Sequence, residues 1–470
     1  MSTESEKVNS MSGGQRSLLI VVLLLLLFVL FVGPWPTNHD DYLGQSYSQQ
    51  TFTRIDQLQP VISGNGKLSA GLSVIDITPP MGVPLAGYSA RNPKENVGVR
   101  DRVFVKALSI KAGEALVTIV AADYLLPIPQ LVDAVVQRSG VERGAIFFTA
   151  THTHSGPGGY GEDMVSQYAL GNFDPAQFER MVSSFSRAVL ESRASMLPVR
   201  LSYRQQRLDA PSSQSLMRHA LDREIEASAT LNLLQLSHLK SKRPFASLVS
   251  FPAHPTILGK RNYRVSGDYP AKLQQLLAKQ LGGEVLFAVG AVGSTKTPRV
   301  DLDREQKLDE VARRIGERYV SLAASKGKPG MSLLALEAPV SSYLLEVDLP
   351  VLSVNIADGW RLSTFLSGII HDQKSQLQLL RIGKLVLVGY PGDLSLDIAD
   401  RLRDRFEGDG IAFWPTSFNG DYIGYLMPQS HYHFNRYETR RANLLGPWGG
   451  DYFDDLTLRL VERAVTPHIE

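Results

Sequence analysis

Apolar and polar positions divide the chain into one continuous apolar block and a long series of short alternating elements. The block runs without a break from Leu18 to Val32, inside SLLIVVLLLLLFVLFVGPWP (17–36). As a helix it spans about 22 Å at 1.5 Å per residue. That is short for a hydrocarbon core of about 30 Å, a mismatch that flanking residues and local thinning absorb. No polar residue interrupts it on any face, so a buried core helix is a poor reading. Residues 37–67 are polar and irregular, as in a juxtamembrane linker. Strand and helix signals alternate from about LSAGLSVIDITPP (68–80) onward.

VRDRVFVKALSIKAGEALVTIVAADYLL (99–126) reads as two β-rich runs joined at Lys111-Ala112-Gly113-Glu114. PQLVDAVVQRSG predicts a short amphipathic helix closing on Gly140. DPAQFERMVSSFSRAVLESRASML (174–197) predicts a longer one with Pro in its first turn. Strands are expected at GAIFFTATHT, ATLNLLQLSHL, ASLVSFPAHP, EVLFAVGAVG and KLVLVGYPGD, and helices at DYPAKLQQLLAKQLGG, LDREQKLDEVARRIGERYVSLAAS, LSLDIADRLRDRFEG and DDLTLRLVERAV. The expected class is α/β: a single large domain on a mixed β-sheet flanked by helices, preceded by an N-terminal transmembrane helix. In such folds sites gather at strand ends, where loops reach outward.

Charge changes the picture at the N-terminus. Lys7 and Arg16 precede the apolar block, and Asp40 and Asp41 follow it. With the positive end held inside, residues 1–17 are cytoplasmic and 18–36 form a signal anchor. The bulk of the chain, 68–470, then stands on the periplasmic or extracellular side. No small-x-small cleavage site follows the block; a cleaved signal peptide is the alternative. Elsewhere acids and bases are mixed to a net +2, which advertises no nucleic-acid face. The absence of cysteine removes thiolate metal sites and a cysteine nucleophile together, leaving His, Asp, Glu and Tyr as ligands.

Four segments carry such residues at strand ends. FFTATHTHSGPGGYGED (147–163) places His152 and His154 two apart, on one face if the strand continues through them. Metal binding competes there with a pair of hydrogen-bonded or exposed histidines. FPAHPTILG ends a strand at His254, alternatively a structural histidine. LVLVGYPGDLSLDIADRL places Asp393 near a helix start, where Asp also serves as an N-cap. FNGDYIGYLMPQSHYHFNRYETRR holds Tyr422 and Tyr425, alternatively in a wet aromatic loop. Together, nitrogen and oxygen ligands without thiolate suit zinc with an open position for water.

ATHTHSGPGGY, FPAHPT, VSGDYP, YPGD…ADRLRDRF and NGDYIGY…YHFNRYETRRANLLGP occur in the order seen in neutral, non-lysosomal ceramidases. From about residue 68 to 466 the chain resembles their catalytic domain, without the usual C-terminal β-sandwich. The resemblance implies a zinc-dependent amidase that cuts the N-acyl bond of ceramide or a related N-acyl lipid. It implies Zn²⁺ as cofactor, with His152, His254, Asp393 (where the family usually has Glu) and Tyr425 as ligands. His154 would help hold the scissile carbonyl, and Arg207 in QQRLDAP falls near a substrate-site arginine. Asp123 and Asp268 match acidic positions in a supporting role. The family motif Asn-x-Gly-Asp-Val-Ser-Pro is altered: in ungapped register Ala291 replaces its Asn, Ser294 its Asp and Lys296 its active-site Ser. Zinc activates water without a serine, so the expected function is membrane-anchored amide hydrolysis. The alternatives are an inert lipid-binding relative and a zinc hydrolase of another N-acyl or ester bond. Expected partners are the lipid or N-acyl amine substrate and the membrane; no protein partner is implied.

Overall fold

The apolar block forms helix α1 (Gly13–Phe31), which starts a turn and a half before the unbroken run. Ser12 and Gln15 close a capping box at its N-terminus. Those extra residues bring the helix to about 28 Å, near the thickness of a bilayer core. None of it is buried, and among the described residues it is the one helix long and apolar enough to cross a membrane. The computed structural model describes residues 12–92, 94–208, 216–222, 224–325, 332–370 and 373–466. Most of the expected cytoplasmic segment (1–11, Lys7 included) lies outside them.

After α1 come β1 (Trp35–Pro36) and α2 (Ser46–Gln57), then β2 (Ile62–Asp76), β3 (Phe104–Ala112), β4 (Ala115–Ala122) and α3 (Pro129–Ser139). β5 (Ile146–Ala150), α4 (Met164–Leu170), α5 (Pro175–Ala194), β6 (Leu197–Arg207), β7 (Arg218–His219), β8 (Thr230–His238) and β9 (Pro244–Ser250) follow. The middle holds α6 (Asp268–Leu281), β10 (Glu284–Phe287), β11 (Thr295–Lys296), α7 (Arg304–Ala324), β12 (Ser332–Ala335) and β13 (Glu337–Asp348). Next are β14 (Asn355–Ala357), β15 (Trp360–Arg361), α8 (Thr364–Ile370), β16 (Lys374–Ile382) and β17 (Leu385–Gly389). The chain closes with β18 (Asp393–Leu394), α9 (Leu396–Gly408), β19 (Ala412–Thr416), β20 (Tyr425–Leu426) and α10 (Gly449–Val465).

The large sheet is mixed. Its path runs β10-β9-β8-β6-β2-β13-β16-β17-β19, and β3, β4 and β5 branch from the long strand β2. The pairs β4–β5, β9–β10 and β17–β19 are parallel; the other pairs of this sheet are antiparallel. Both strand faces are apolar because both are covered. Leu385 and Leu387 of β17 pack in a cluster that no helix enters, while Val386 and Val388 pack under α9 and α10. In β8, Leu234 and Leu236 face the strand cluster, and Leu231 and Leu233 face a second helical layer that includes α3, α5, α6 and α7.

The segment expected to be an irregular linker differs. Residues 46–57 form α2, and its Phe52 and Ile55 are buried with Leu345 and Tyr452 in the core under α10. Two apolar residues three apart suffice here because tertiary packing, not helix propensity, holds the helix.

Candidate metal centre

Where the parallel strands end, their loops meet. Ala150 O at the end of β5 accepts from Val289 N after β10, and Val289 O accepts from Ser417 N after β19. Asn419 Nδ2, fully buried, donates to Phe148 O inside β5. These bonds bring residues 151–154, 254, 393 and 418–425 to one place.

β5 stops at Ala150, so His152 and His154 do not share a strand face as expected. His152 instead adopts φ 59°, a left-handed conformation that costs a non-glycine residue about 1 kcal/mol or more. Phe418, also left-handed at φ 61°, stacks on the His152 ring at 3.8 Å. The kink turns the two imidazoles toward each other with their Nε2 atoms 3.1 Å apart. His254 Nε2 lies 3.0 Å from His152 Nε2 and 3.1 Å from His154 Nε2. A side chain at position 87 would put its Cβ 2.7 Å from the His154 ring, so Gly87 is needed for close approach.

Backbone carbonyls decide what those nitrogens carry. His152 Nδ1 donates to Leu125 O at 2.8 Å, and His154 Nδ1 donates to Gly87 O at 2.9 Å. A carbonyl only accepts, so in the neutral rings both Nε2 atoms hold lone pairs. Burial pushes His152 and His154 well below the usual histidine range and His254 down to about 4, so the rings are neutral at pH 7. Converging lone pairs repel unless a cation sits among them. Tetrahedral zinc holds nitrogens at about 2.0–2.1 Å, hence about 3.3 Å from one another. The observed triangle is close to that spacing.

Asp393 completes the arrangement. β18 pairs with β20 in parallel register, which sets Asp393 beside Tyr425. Asp393 Oδ2 accepts from the Tyr422 hydroxyl at 3.0 Å. Its Oδ1 is buried without a hydrogen-bond partner, 3.9 Å from both His152 Nε2 and His254 Nδ1. Burial holds this carboxyl well above the ordinary range, as fits an acid whose countercharge is missing. The Tyr425 ring lies parallel to His254 at 6.4 Å. The imidazole nitrogens of His152 and His254 with this unpartnered carboxylate oxygen form a donor set that fits zinc, and His154 Nε2 stands beside it.

A cavity of ≈ 920 Å³ opens beside these groups. His152, His154, His254, Asp393, Tyr422 and Tyr425 all line it, with apolar walls that include Leu125, Leu126 and Ile128. Its size suits a drug-sized or larger ligand.

The remaining expected residues fall into two groups. Asp123 and Asp268 are buried and hydrogen-bonded to backbone. Asp123 accepts from Phe104 N and Gln274 Nε2. Asp268, left-handed at φ 53°, accepts from Leu258 N and Tyr269 N and is pushed up to about 6 by burial. Three others stand apart from the cavity. Ser294 accepts from Leu396 N at 2.9 Å and donates to Asp397, under the first turn of α9. Lys296 pairs with the buried Glu438 at 2.6 Å, which answers its charge. Arg207 points into solvent and pairs with Asp404 at 2.7 Å, because β6 ends at the surface of α9. His154, expected to hold a carbonyl, cannot donate from Nε2 in its neutral form; that atom accepts.

Phe418, Gly87 and Glu438 escaped the reading of the sequence. So did Arg91, which is 1% exposed and donates to His154 O at 2.6 Å. A buried arginine in GYSARN has no periodic signature, and only the Asn-Gly after Phe418 hinted at a tight turn.

Residues 68–285 match the family model described as neutral/alkaline non-lysosomal ceramidase, N-terminal. The neutral ceramidase of Mycobacterium tuberculosis is 25% identical over 221 residues, covering 43% of this chain and 34% of that protein. The neutral ceramidase of Pseudomonas aeruginosa is 28% identical over 215 residues, covering 42% and 32%. These matches span about a third of those relatives. The crystal structure of neutral ceramidase from P. aeruginosa superposes at a TM-score of 0.70 with 18% identity, covering 85% of this chain and 75% of that one. A ceramidase complexed with C2 gives the same score, covering 85% and 76%. At that identity the superposition speaks for the fold. His152, His154 and His254 lie inside the family match; Asp393 and Tyr425 lie beyond it.

Proposed function

We propose, with the neutral/alkaline ceramidase resemblance of residues 68–285 as premise, that this chain is a membrane-anchored, zinc-dependent amidohydrolase of ceramide or a related N-acyl lipid. One observation carries the reading: imidazole lone pairs and a partnerless buried carboxylate oxygen converge at the wall of an apolar cavity. His152, His254, Asp393 and Tyr425 would hold the ion. Bound zinc polarises a carbonyl and brings a water's pKa to about 7.

The chain's own groups do the rest. The apolar walls take the acyl chain and keep bulk water from the amide. His154 Nε2, an acceptor held in place through Nδ1 and Gly87 O, takes a proton as water oxygen bonds to the carbonyl carbon. That proton passes to the amine nitrogen as the C–N bond breaks. Phe418 fixes the plane of His152, while Asp123 holds the backbone at Phe104 and Asp268 that at Leu258, four residues past His254.

A second reading rests on Ser294 and Lys296, neither of which reaches the cavity: an inert lipid binder, or a hydrolase of another N-acyl or ester bond. The full chain in detergent decides. Bound metal is measured, and fatty-acid release is followed from N-acylsphingosines, other N-acyl amines and acyl esters. One zinc per chain with ceramide turnover is expected. Stoichiometric zinc without turnover on any substrate selects the binder, and turnover that survives His152→Ala with His254→Ala ends the metal mechanism.

A further inference from the structure

α1 does not leave the domain on a loose tether. Ser363 N donates to Val32 O at 3.0 Å, and Ser363 Oγ donates to Phe31 O at 2.5 Å. Trp35 Nε1 donates back to Val29 O at 2.7 Å, and β1 pairs antiparallel with β15. The Phe31 ring meets Phe365 of α8 edge-on at 5.3 Å. The orientation of the domain relative to α1 is therefore set by packing.

Around that junction apolar side chains are left uncovered. Phe365 is 57% exposed, Ile356 of β14 53% and Trp360 of β15 47%. Two tryptophans, Trp35 and Trp360, thus flank the end of the helix, the place such rings take at a membrane surface.

From the junction a chain of contacts leads to the cavity. Asn355 of β14 donates to Arg440 O at 2.7 Å, in the short helical turn that begins at Tyr437. Tyr437 lines the cavity and is itself largely exposed, as is Tyr168 of α4, which lines it too. Met164 and Val165 continue that exposed edge of α4. By a second route, Lys374 lines the same cavity four residues beyond the end of α8, at most about 14 Å along the chain.

We propose that the cavity mouth faces the bilayer that holds α1. Phe365, Trp360 and the exposed edge of α4 rest in the nearer leaflet, and an N-acyl lipid enters sideways from the leaflet without crossing water. This rests on the reading of α1 as a span and of the cavity as a lipid site. The occupant of the surface is lipid, since the exposed groups are aromatic and aliphatic and adjoin the membrane helix.

The chain lacks cysteine, so single-cysteine labelling is clean. Full-length Met164→Cys, Phe365→Cys and Leu334→Cys variants, each carrying an environment-sensitive fluorophore, are reconstituted in phosphatidylcholine vesicles with and without nitroxide-labelled phosphatidylcholine. Leu334 is exposed on β12, which pairs with β6 and does not line the cavity, and serves as the comparison site. Loss of most fluorescence at 164 and 365, with little at 334, is expected. Quenching at 365 without 164, or at all three alike, overturns the orientation. Failure of the protein to float with the vesicles overturns it through α1. Absence of acyl-lipid hydrolysis with the expected pattern intact removes the proposed reaction and leaves the orientation supported.

Discussion

Two clusters of histidine and aspartate are built on aspartates four residues apart, Asp393 and Asp397, and they solve opposite problems. In the first, His152, His154, His254 and Asp393 converge and leave ligand atoms facing one another. In the second, His219 and His431 approach Asp397 at 3.4 and 3.7 Å. There His219 Nδ1 accepts from Leu221 N, so its Nε2 carries the proton and points it at Asp397. Asp397 Oδ2 also accepts from Ser395 and Ser294, at the positive end of α9. Those donors hold its carboxyl well below the ordinary range despite burial, whereas Asp393 is held well above it. Convergence of side chains is thus a poor guide to a metal. His431 Nδ1 lacks a hydrogen-bond partner in the second cluster too, so the better guide is whether the carboxylate oxygen is already bonded, as Asp397 Oδ2 is and Asp393 Oδ1 is not.

The largest expected contrast is between the two clusters themselves. His152→Ala should lose bound zinc and lower turnover by at least about 100-fold, more than the loss of an outer partner costs. His219→Ala should keep both and lose about 1–2 kcal/mol of stability. Metal content and urea denaturation of the two variants check this, and equal zinc loss would erase the distinction.

Next comes the support beside the first cluster. Asp268 is pushed from 3.8 up to about 6, so its folded form binds a proton more tightly than the unfolded chain. Its contribution is fully present below about pH 4 and is lost as pH rises through about 6, a change of about 3 kcal/mol. Urea denaturation at several pH values should show that decline in the wild type and a flatter curve in Asp268→Asn. Parallel curves would contradict the burial argument.

Smaller again is the pair that borders the first cluster. Lys296→Ser strands the buried Glu438 and should cost about 1–3 kcal/mol, less than a fully buried pair because the lysine is partly exposed. Adding Glu438→Gln should restore much of it. A rise in ceramide hydrolysis in Lys296→Ser would instead mean that position 296 reaches the substrate. At the bottom stands Arg207→Ala, which breaks exposed ion pairs and should change stability by less than about 1 kcal/mol and turnover not at all.

The sequence exposed the framework well where local chemistry decides it. Gly140 closes α3 in the left-handed conformation, Asp174 and Pro175 open α5, and the turn at Gly113 joins β3 to β4. The histidines and Asp393 stood out because polar residues ended apolar strands. What stayed hidden was set by distant packing. α2 has too sparse an apolar pattern to announce itself, and the backbone kink at His152 has no signature in composition. Ser294 read only as the replacement of an Asp in an altered motif, because nothing local shows that Leu396, a hundred residues on, needs its oxygen.

The backbone bonds linking Ala150, Val289 and Ser417 carry a consequence for biogenesis. The portion of the chain that bears the family signature ends at 285, and it holds every imidazole of the centre but not its carboxylate. A nascent chain stalled there would hold the carbonyl partners of His152 and His154 but neither Asp393 nor the residue 418 loop. Assembly of the centre therefore waits on the final quarter of translation, and truncations after 285 should emerge as metal-blind polypeptides.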